Sequence, residues 1–99
     1  MKQYNEHLNI NQGNVALKFS ATWCVWCKRL APLLTNIESE YPNIEFIEVD
    51  IDKYESMFDQ YNLEVVPTLV LLKDGEVLDK LVNPQSIDII EKGLRRYDN

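Results

Sequence analysis

The alternation of hydrophobic and polar residues along the chain predicts a mixed order of strands and helices. Short, mostly apolar runs typical of strands lie at 14–20, 44–50, 68–72 and 77–82. Apolar residues at helical spacing predict helices over 2–9, 24–41 and 53–61, and a final helix that opens near Ser86. The predicted order is therefore α-β-α-β-α-β-β-α. We expect the first two strands to be parallel, because a long helix joins them, and the last two to form a hairpin through the Asp74-Gly75 turn.

The only two cysteines, Cys24 and Cys27, lie where the first long strand meets the long helix. Unpaired backbone N–H groups and the helix dipole favour negative charge at a helix N-terminus, so this position would activate a thiolate at Cys24. The alternative is half of a structural zinc site. Such a site needs four ligands, and His7 is the one histidine in the chain, so the sequence argues against a metal.

Length and charge narrow the class of protein. A chain of 99 residues with 45% hydrophobic and 26% charged residues predicts one globular domain over 1–99. The net charge of −6 argues against nucleic acid or an anionic membrane as the main partner, and no apolar run approaches the length of a membrane span. The N-terminal residues lack the pattern of a signal peptide, so we expect a cytoplasmic protein, in which a close cysteine pair is more often catalytic or metal-binding than structural.

Five segments, in order, resemble the thioredoxin superfamily. They are Trp23-Cys24-x-x-Cys27-Lys28, Ala31-Pro32, Asp50-Ile51-Asp52, Val66-Pro67-Thr68 and Lys73-Asp74-Gly75-Glu76. The resemblance covers nearly the whole chain and implies a thioredoxin-like α/β fold, a mixed sheet with helices on both faces. The family's usual first strand has no evident counterpart, so we expect four strands, with 44–50 at an exposed edge.

The resemblance also implies an activity, namely dithiol–disulfide exchange with proteins that contain disulfides. In this scheme Cys24 attacks the substrate disulfide and Cys27 resolves the mixed disulfide, so the pair itself is the redox centre and no bound cofactor is needed. A thioredoxin-reductase-like donor would recharge the dithiol. We expect a monomer.

Five further residues are expected to contact the substrate. By resemblance, Val66–Pro67 corresponds to the family's cis-proline turn, which lies against the cysteines. Trp23, Trp26 and Asn83 occupy positions beside the same groove. Each of these three also has a purely structural alternative, since aromatic residues often pack at such edges and Asn83 could simply form a loop.

Val25-Trp26 separates the cysteines where a typical thioredoxin has Gly-Pro. Because this dipeptide influences the relative stability of the thiols, the reduction potential cannot be taken from the family. A disulfide oxidase or isomerase therefore stays open, as do a glutathione-fed enzyme and a non-enzymatic interaction module.

A second departure from the family concerns two charges. The family commonly has a buried Asp six residues before its first cysteine, where this chain has Lys18, and a Lys on the neighbouring strand, where this chain has Glu48. Two lone buried charges would be costly, so we predict that Lys18 and Glu48 pair beneath the cysteines. Glu48, or water held by the pair, would then accept the proton of Cys27; the alternative is that Lys18 extends to solvent with no redox role.

Overall fold

Strands and helices alternate along the chain in the computed structural model, which describes residues 1–98. The elements are β1 Lys2–Gln3, β2 Asn14–Ser20, α1 Val25–Glu38, β3 Ile44–Asp50, α2 Glu55–Gln60, β4 Thr68–Lys73, β5 Glu76–Val82 and α3 Ile87–Asp98. The strands form one sheet in the order β1-β3-β2-β4-β5. The predicted parallel pairing of β2 with β3 and the antiparallel hairpin of β4 and β5 are both confirmed.

The N-terminal segment is where the prediction was wrong. Instead of a helix over 2–9, Lys2 and Gln3 form a short strand, β1, parallel to β3. The sheet therefore has five strands rather than four, and β1 lies at the edge where we expected β3.

Tertiary contacts with β3 explain why the segment is extended. The amide of Tyr4 donates to the carbonyl of Glu48 at 2.8 Å. The side chains of Lys2 and Gln3 bond the carboxylates of Glu45 and Glu48, each at 2.8 Å. These pairings override the weak helical spacing of a few apolar residues, as tertiary context often does with local propensity.

The sheet carries a hydrophobic cluster on each face, because successive side chains of a strand point to opposite sides. The face covered by α1 and α3 buries mainly Ala16, Leu30, Leu34, Phe46, Leu69, Leu71, Ile90 and Leu94. The face covered by α2 buries mainly Val15, Leu17, Phe19, Ile47, Val49, Met57, Val70 and Leu72. The same alternation places Lys18 and Glu48 on the α1 face.

The helix α1 begins one residue after Cys24, which is its N-cap residue. Its main buried residues are Leu30, Leu34 and Ile37, which keep the three- and four-residue spacing of the sequence. The predicted end at 41 is three residues too late, because the helix stops at Glu38. The start of this helix is therefore anchored by its apolar face and holds both cysteines at the end of β2.

A contact between α3 and β5 requires a glycine. A Cβ atom built on Gly93 would lie 2.7 and 2.8 Å from the two δ-methyl carbons of Leu81, which is itself buried. Overpacking of this kind costs about 1–3 kcal/mol, whereas the higher helix propensity of alanine offsets about 1 kcal/mol.

We therefore expect Gly93→Ala to lower the free energy of unfolding in urea by about 1 kcal/mol. Lys92→Ala, at the exposed neighbouring position, is the control and should change it by less than about 0.5 kcal/mol. A more stable Gly93→Ala variant would contradict the close packing.

Candidate active site

The cysteines form a disulfide at the N-terminus of α1. Cys24 is half-buried, whereas Cys27, one turn further into the helix, is only 2% exposed. The amide of Cys27 donates to the Sγ atom of Cys24 at 3.1 Å. Because the amide and the helix N-terminus both face Cys24, negative charge on its sulfur would be stabilised there. The geometry makes Cys24 the accessible sulfur and Cys27 the protected one.

Beneath the disulfide, Lys18 and Glu48 form the ion pair that the sequence predicts. They lie directly opposite each other in the register of β2 and β3, and their charged groups are 2.8 Å apart. Lys18 is 1% exposed, so it does not extend to solvent, and its Nζ atom also donates to the carbonyl oxygen of Cys27 at 3.1 Å. The Lys18 ammonium group is therefore hydrogen-bonded to the backbone of Cys27, the residue with the buried sulfur.

The carboxylate of Glu48 accepts hydrogen bonds from three side chains. Lys18 and Ser20 donate to its Oε2 atom, at 2.8 and 3.1 Å, and Gln3 donates to Oε1 at 2.8 Å. Burial by itself would raise the pKa of Glu48, but these hydrogen bonds and the charge of Lys18 together hold it below its ordinary value. Glu48 is consequently ionised at neutral pH.

A cavity of about 440 Å³, open to solvent, lies beside this carboxylate and Cys27. Its lining includes Cys27 and Glu48, together with the charged side chains of Asp50 and Lys28. With the carboxylates of Glu48 and Asp50 and the ammonium group of Lys28 in its lining, a cavity of this size admits water, which can connect the Glu48 carboxylate with solvent beside Cys27.

Two loops lie at the end of β4 and β5 that is level with the end of β2, because Thr68 pairs with both Phe19 and Val82. The Val66–Pro67 peptide bond is cis, and Pro67 is buried. Asn83 follows β5 with a left-handed φ of 45°, and its amide donates to the carbonyl oxygen of Pro67 at 2.8 Å. Val66, Pro67 and Asn83 are thus brought together as one surface.

The two tryptophans differ in their surroundings. Trp23 is 65% exposed, and its indole N–H donates to the carboxylate of Asp52 at 3.1 Å. Trp26 is half-buried and packs against the hydrophobic cluster on the sheet face that α1 and α3 cover, called the α1-side cluster below. Its N–H donates to the carbonyl oxygen of Pro84 at 2.9 Å. Trp23 therefore offers its ring to solvent, whereas Trp26 joins the active-site helix to the loop between β5 and α3.

Four residues of this site were not identified from the sequence, namely Gln3, Ser20, Asp52 and Pro84. Ser20 could have been predicted from the strand pattern, because it lies two residues after Lys18 and so on the same face of β2. Gln3 was not, since its role depends on the unexpected strand β1.

Residues 1–98 contain neither a metal-binding cluster nor a membrane-spanning helix. No group of three or more histidine, cysteine, aspartate or glutamate side chains is placed to hold a metal ion. No helix of that range is both long enough and apolar enough to cross a membrane.

Comparison with known proteins gives one family. The family model described as Thioredoxin matches residues 1–96. Thioredoxin H5 of Oryza sativa subsp. japonica is 41% identical over 78 residues, which are 79% of this chain and 58% of that protein. An H-type thioredoxin of Ricinus communis is 30% identical over 92 residues, covering 90% of this chain and 78% of its own length.

Solved structures of thioredoxins are also similar to this chain in fold. The crystal structure of thioredoxin NaTrxh from Nicotiana alata matches with a TM-score of 0.81 at 26% identity, over 87% of this chain and 74% of that one. A Plasmodium falciparum thioredoxin matches with a TM-score of 0.82 at 28% identity, over 87% and 83%. The chain spans only 58% and 54% of the length of two of the curated relatives it matches.

Proposed function

The chain belongs to the thioredoxin family, and on that premise we propose that it is a thiol–disulfide oxidoreductase that reduces disulfide bonds in proteins. The observation that carries the proposal is the asymmetry of the cysteine pair. Cys24 is accessible at the start of α1, and Cys27 is buried one turn later but close enough to form the disulfide. A nucleophile and a resolving thiol need this difference in access.

The proposed reaction has two exchange steps. The Cys24 thiolate attacks one sulfur of the substrate disulfide, which forms a mixed disulfide and releases the first substrate thiolate. The Cys27 thiolate then attacks the Sγ atom of Cys24, breaks the mixed disulfide and releases the second substrate thiolate. Two electrons pass to the substrate, whose thiolates take up two protons, and the Cys24–Cys27 disulfide remains. The centre is the protein's own disulfide, with no bound cofactor.

We propose that Lys18 and Glu48 serve the second step. Cys27 must lose its proton although it is buried, and burial in apolar surroundings raises the pKa of a thiol. The Lys18 ammonium, bonded to the Cys27 carbonyl, would stabilise the resulting thiolate. Cavity water held by ionised Glu48 would take the proton and pass it to solvent, and the low pKa of Glu48 makes this carboxylate a group that orients the water rather than one that keeps the proton.

We propose that substrates bind across the surface formed by Trp23, Val66, Pro67 and Asn83. Support comes from the exposed ring of Trp23 and from the contact between the other two segments at 2.8 Å. Trp26 borders this surface but directs its N–H toward Pro84.

The wider setting is also proposed. The 99 residues would act as one domain and as a monomer, since both cysteines and the surface around them belong to one chain. A thioredoxin-reductase-like donor would restore the dithiol. Because a disulfide reductase needs a reducing compartment, we place the activity in the cytoplasm.

The test is the reduction of insulin by the full chain, with dithiothreitol as electron donor. We expect turnover in the wild type, none in Cys24→Ser, and a trapped mixed disulfide with a substrate in Cys27→Ser. The reduction potential of the pair, measured in glutathione buffers, distinguishes the directions of electron flow. A value near −270 mV, roughly that of a reductant, supports the proposal. A value above about −200 mV would favour an oxidase or isomerase, and a folded wild type without insulin turnover would favour an interaction module.

A further inference from the structure

Trp26 lies between the two cysteines in sequence, but its side chain is hydrogen-bonded to a distant part of the fold. Its indole N–H donates to the carbonyl oxygen of Pro84 at 2.9 Å, and its ring packs against the α1-side cluster. Pro84 is buried and belongs to the loop between β5 and α3. A side chain at the start of the active-site helix therefore holds a loop that is 58 residues away in sequence.

The same loop is bonded on its other side. Asn83, next to Pro84, has a φ of 45°, and its amide donates to the carbonyl oxygen of Pro67 at 2.8 Å. A left-handed φ is unfavourable for most residues, and it persists here with a hydrogen bond on either side of the loop. Two hydrogen bonds in series thus connect three segments: the start of α1, the loop after β5 and the turn at Pro67.

Each of the three segments presents an exposed valine within two residues of a hydrogen-bonded residue. Val25 precedes Trp26 and is 63% exposed, Val82 precedes Asn83 and is 60% exposed, and Val65 lies two residues before Pro67 and is also exposed. A folded or extended protein chain that delivers a disulfide to Cys24 is large enough to contact all three. A small disulfide such as cystine reaches the sulfur without them.

We propose that Trp26 is a positioning residue that makes the enzyme favour protein disulfides over small ones. By holding the loop at Asn83 and Pro84, its N–H fixes the three segments in one arrangement before the substrate arrives. Binding of a protein then orders fewer groups, which improves affinity without altering the chemistry at Cys24. This inference rests on the proposed function and adds the residue that sets the preference for protein substrates.

Trp26→Phe tests the inference, because phenylalanine keeps an aromatic ring in the cluster and lacks the N–H donor. With dithiothreitol as donor, we expect the KM for insulin to rise about tenfold, the loss that one neutral hydrogen bond can produce, with kcat unchanged. The rate at which the reduced protein reduces cystine should fall much less than the rate with insulin, since cystine can reach Cys24 without the three segments.

Hydrogen exchange gives a second readout that does not depend on activity. We expect the Asn83 amide to exchange about tenfold faster in Trp26→Phe, while the Leu69 amide in β4 keeps its protection and reports an intact fold. Trp23→Phe is the matched control, because it also removes an indole donor at this site but one bonded to Asp52, and it should leave exchange at Asn83 unchanged. Trp26→Tyr, which fills more of the ring volume, repeats the test if Trp26→Phe is poorly folded.

The outcomes distinguish a failure of this inference from a failure of the proposed function. If the wild type reduces insulin and Trp26→Phe has an unchanged KM, or loses activity on insulin and cystine equally, the positioning role is wrong and the proposed function stands. If the wild type reduces cystine but not insulin, the proposed function and this inference both fail.

Discussion

Replacing Glu48 with glutamine should lower the free energy of unfolding by about 3 kcal/mol, a large part of the stability of a small domain. Lys18 is 1% exposed, and its ammonium is 2.8 Å from the Glu48 carboxylate. Glutamine would leave this buried cation with neutral acceptors only, its new amide oxygen and the carbonyl of Cys27. Removing one partner from a buried ion pair typically costs about 3–5 kcal/mol, and the retained amide acceptor places this case at the lower end.

A double-mutant cycle, measured by urea unfolding, separates the pair from its surroundings. Lys18→Met should cost less than Glu48→Gln, because Glu48 is 24% exposed and keeps Ser20 and Gln3 as donors. The double variant should be more stable than Glu48→Gln alone, since it leaves no buried charge unpaired. Glu45→Gln is the control: its bridge to Lys2 is exposed and should be worth less than about 1 kcal/mol. Equal costs for Glu48→Gln and Glu45→Gln would show that Lys18 is solvated.

The same pair gives stability a dependence on pH. The folded state lowers the pKa of Glu48 below its unfolded value, so the folded protein holds this proton less tightly. The stabilisation is therefore complete above the unfolded pKa and is lost as the pH falls through the folded pKa. We expect the difference in unfolding free energy between wild type and Glu48→Gln to be constant from pH 7 down to the unfolded pKa of the carboxyl group and to shrink below it, and a difference that stays constant below that pKa would contradict the assignment.

The sequence predicts most of the fold because its signals are local and agree with one another. The continuous apolar run of β4 and the Asp74-Gly75 turn define the hairpin, and the φ values of 50° and 86° at these residues are those that such a turn needs. The strand β1 was not predicted, because its two polar residues show no alternation of apolar and polar positions. Its existence depends on the edge of β3, which is a property of the assembled sheet.

The site divides in the same way. Lys18 and Glu48 could be paired in advance because the resemblance assigns a charge of opposite sign to each of the two positions, and the register of β2 and β3 confirms that they face each other. The partners of the tryptophans could not, since Asp52 and Pro84 come from loops whose paths no pattern in the sequence fixes. The prediction that Trp26 contacts substrate stays untested, and its hydrogen bond gives it a structural task in addition.

The resolving step should depend on Glu48 by a factor of about 100 at neutral pH, the lower range for a positioned general base. The wild-type rate should be nearly constant between roughly pH 6 and 8, because Glu48 is already ionised there and orients the cavity water that takes the Cys27 proton. Without that carboxylate, hydroxide must remove the proton. The rate would then rise about tenfold for each pH unit until the Cys27 thiol itself ionises.

The measurement is the decay of a preformed mixed disulfide between Cys24 and a peptide, followed by stopped flow across this pH range. Lys18→Met/Glu48→Gln is the informative variant, because it removes the base without leaving the buried ammonium unpaired, and Lys18→Met alone retains the base. We expect a steep profile for the double variant and a flat, uniformly slower one for Lys18→Met, which loses the cation that stabilises the Cys27 thiolate but keeps the acceptor. Superimposable profiles for the wild type and the double variant would exclude Glu48 from proton transfer. The Lys18–Glu48 ion pair would then contribute to the stability of the fold and not to catalysis.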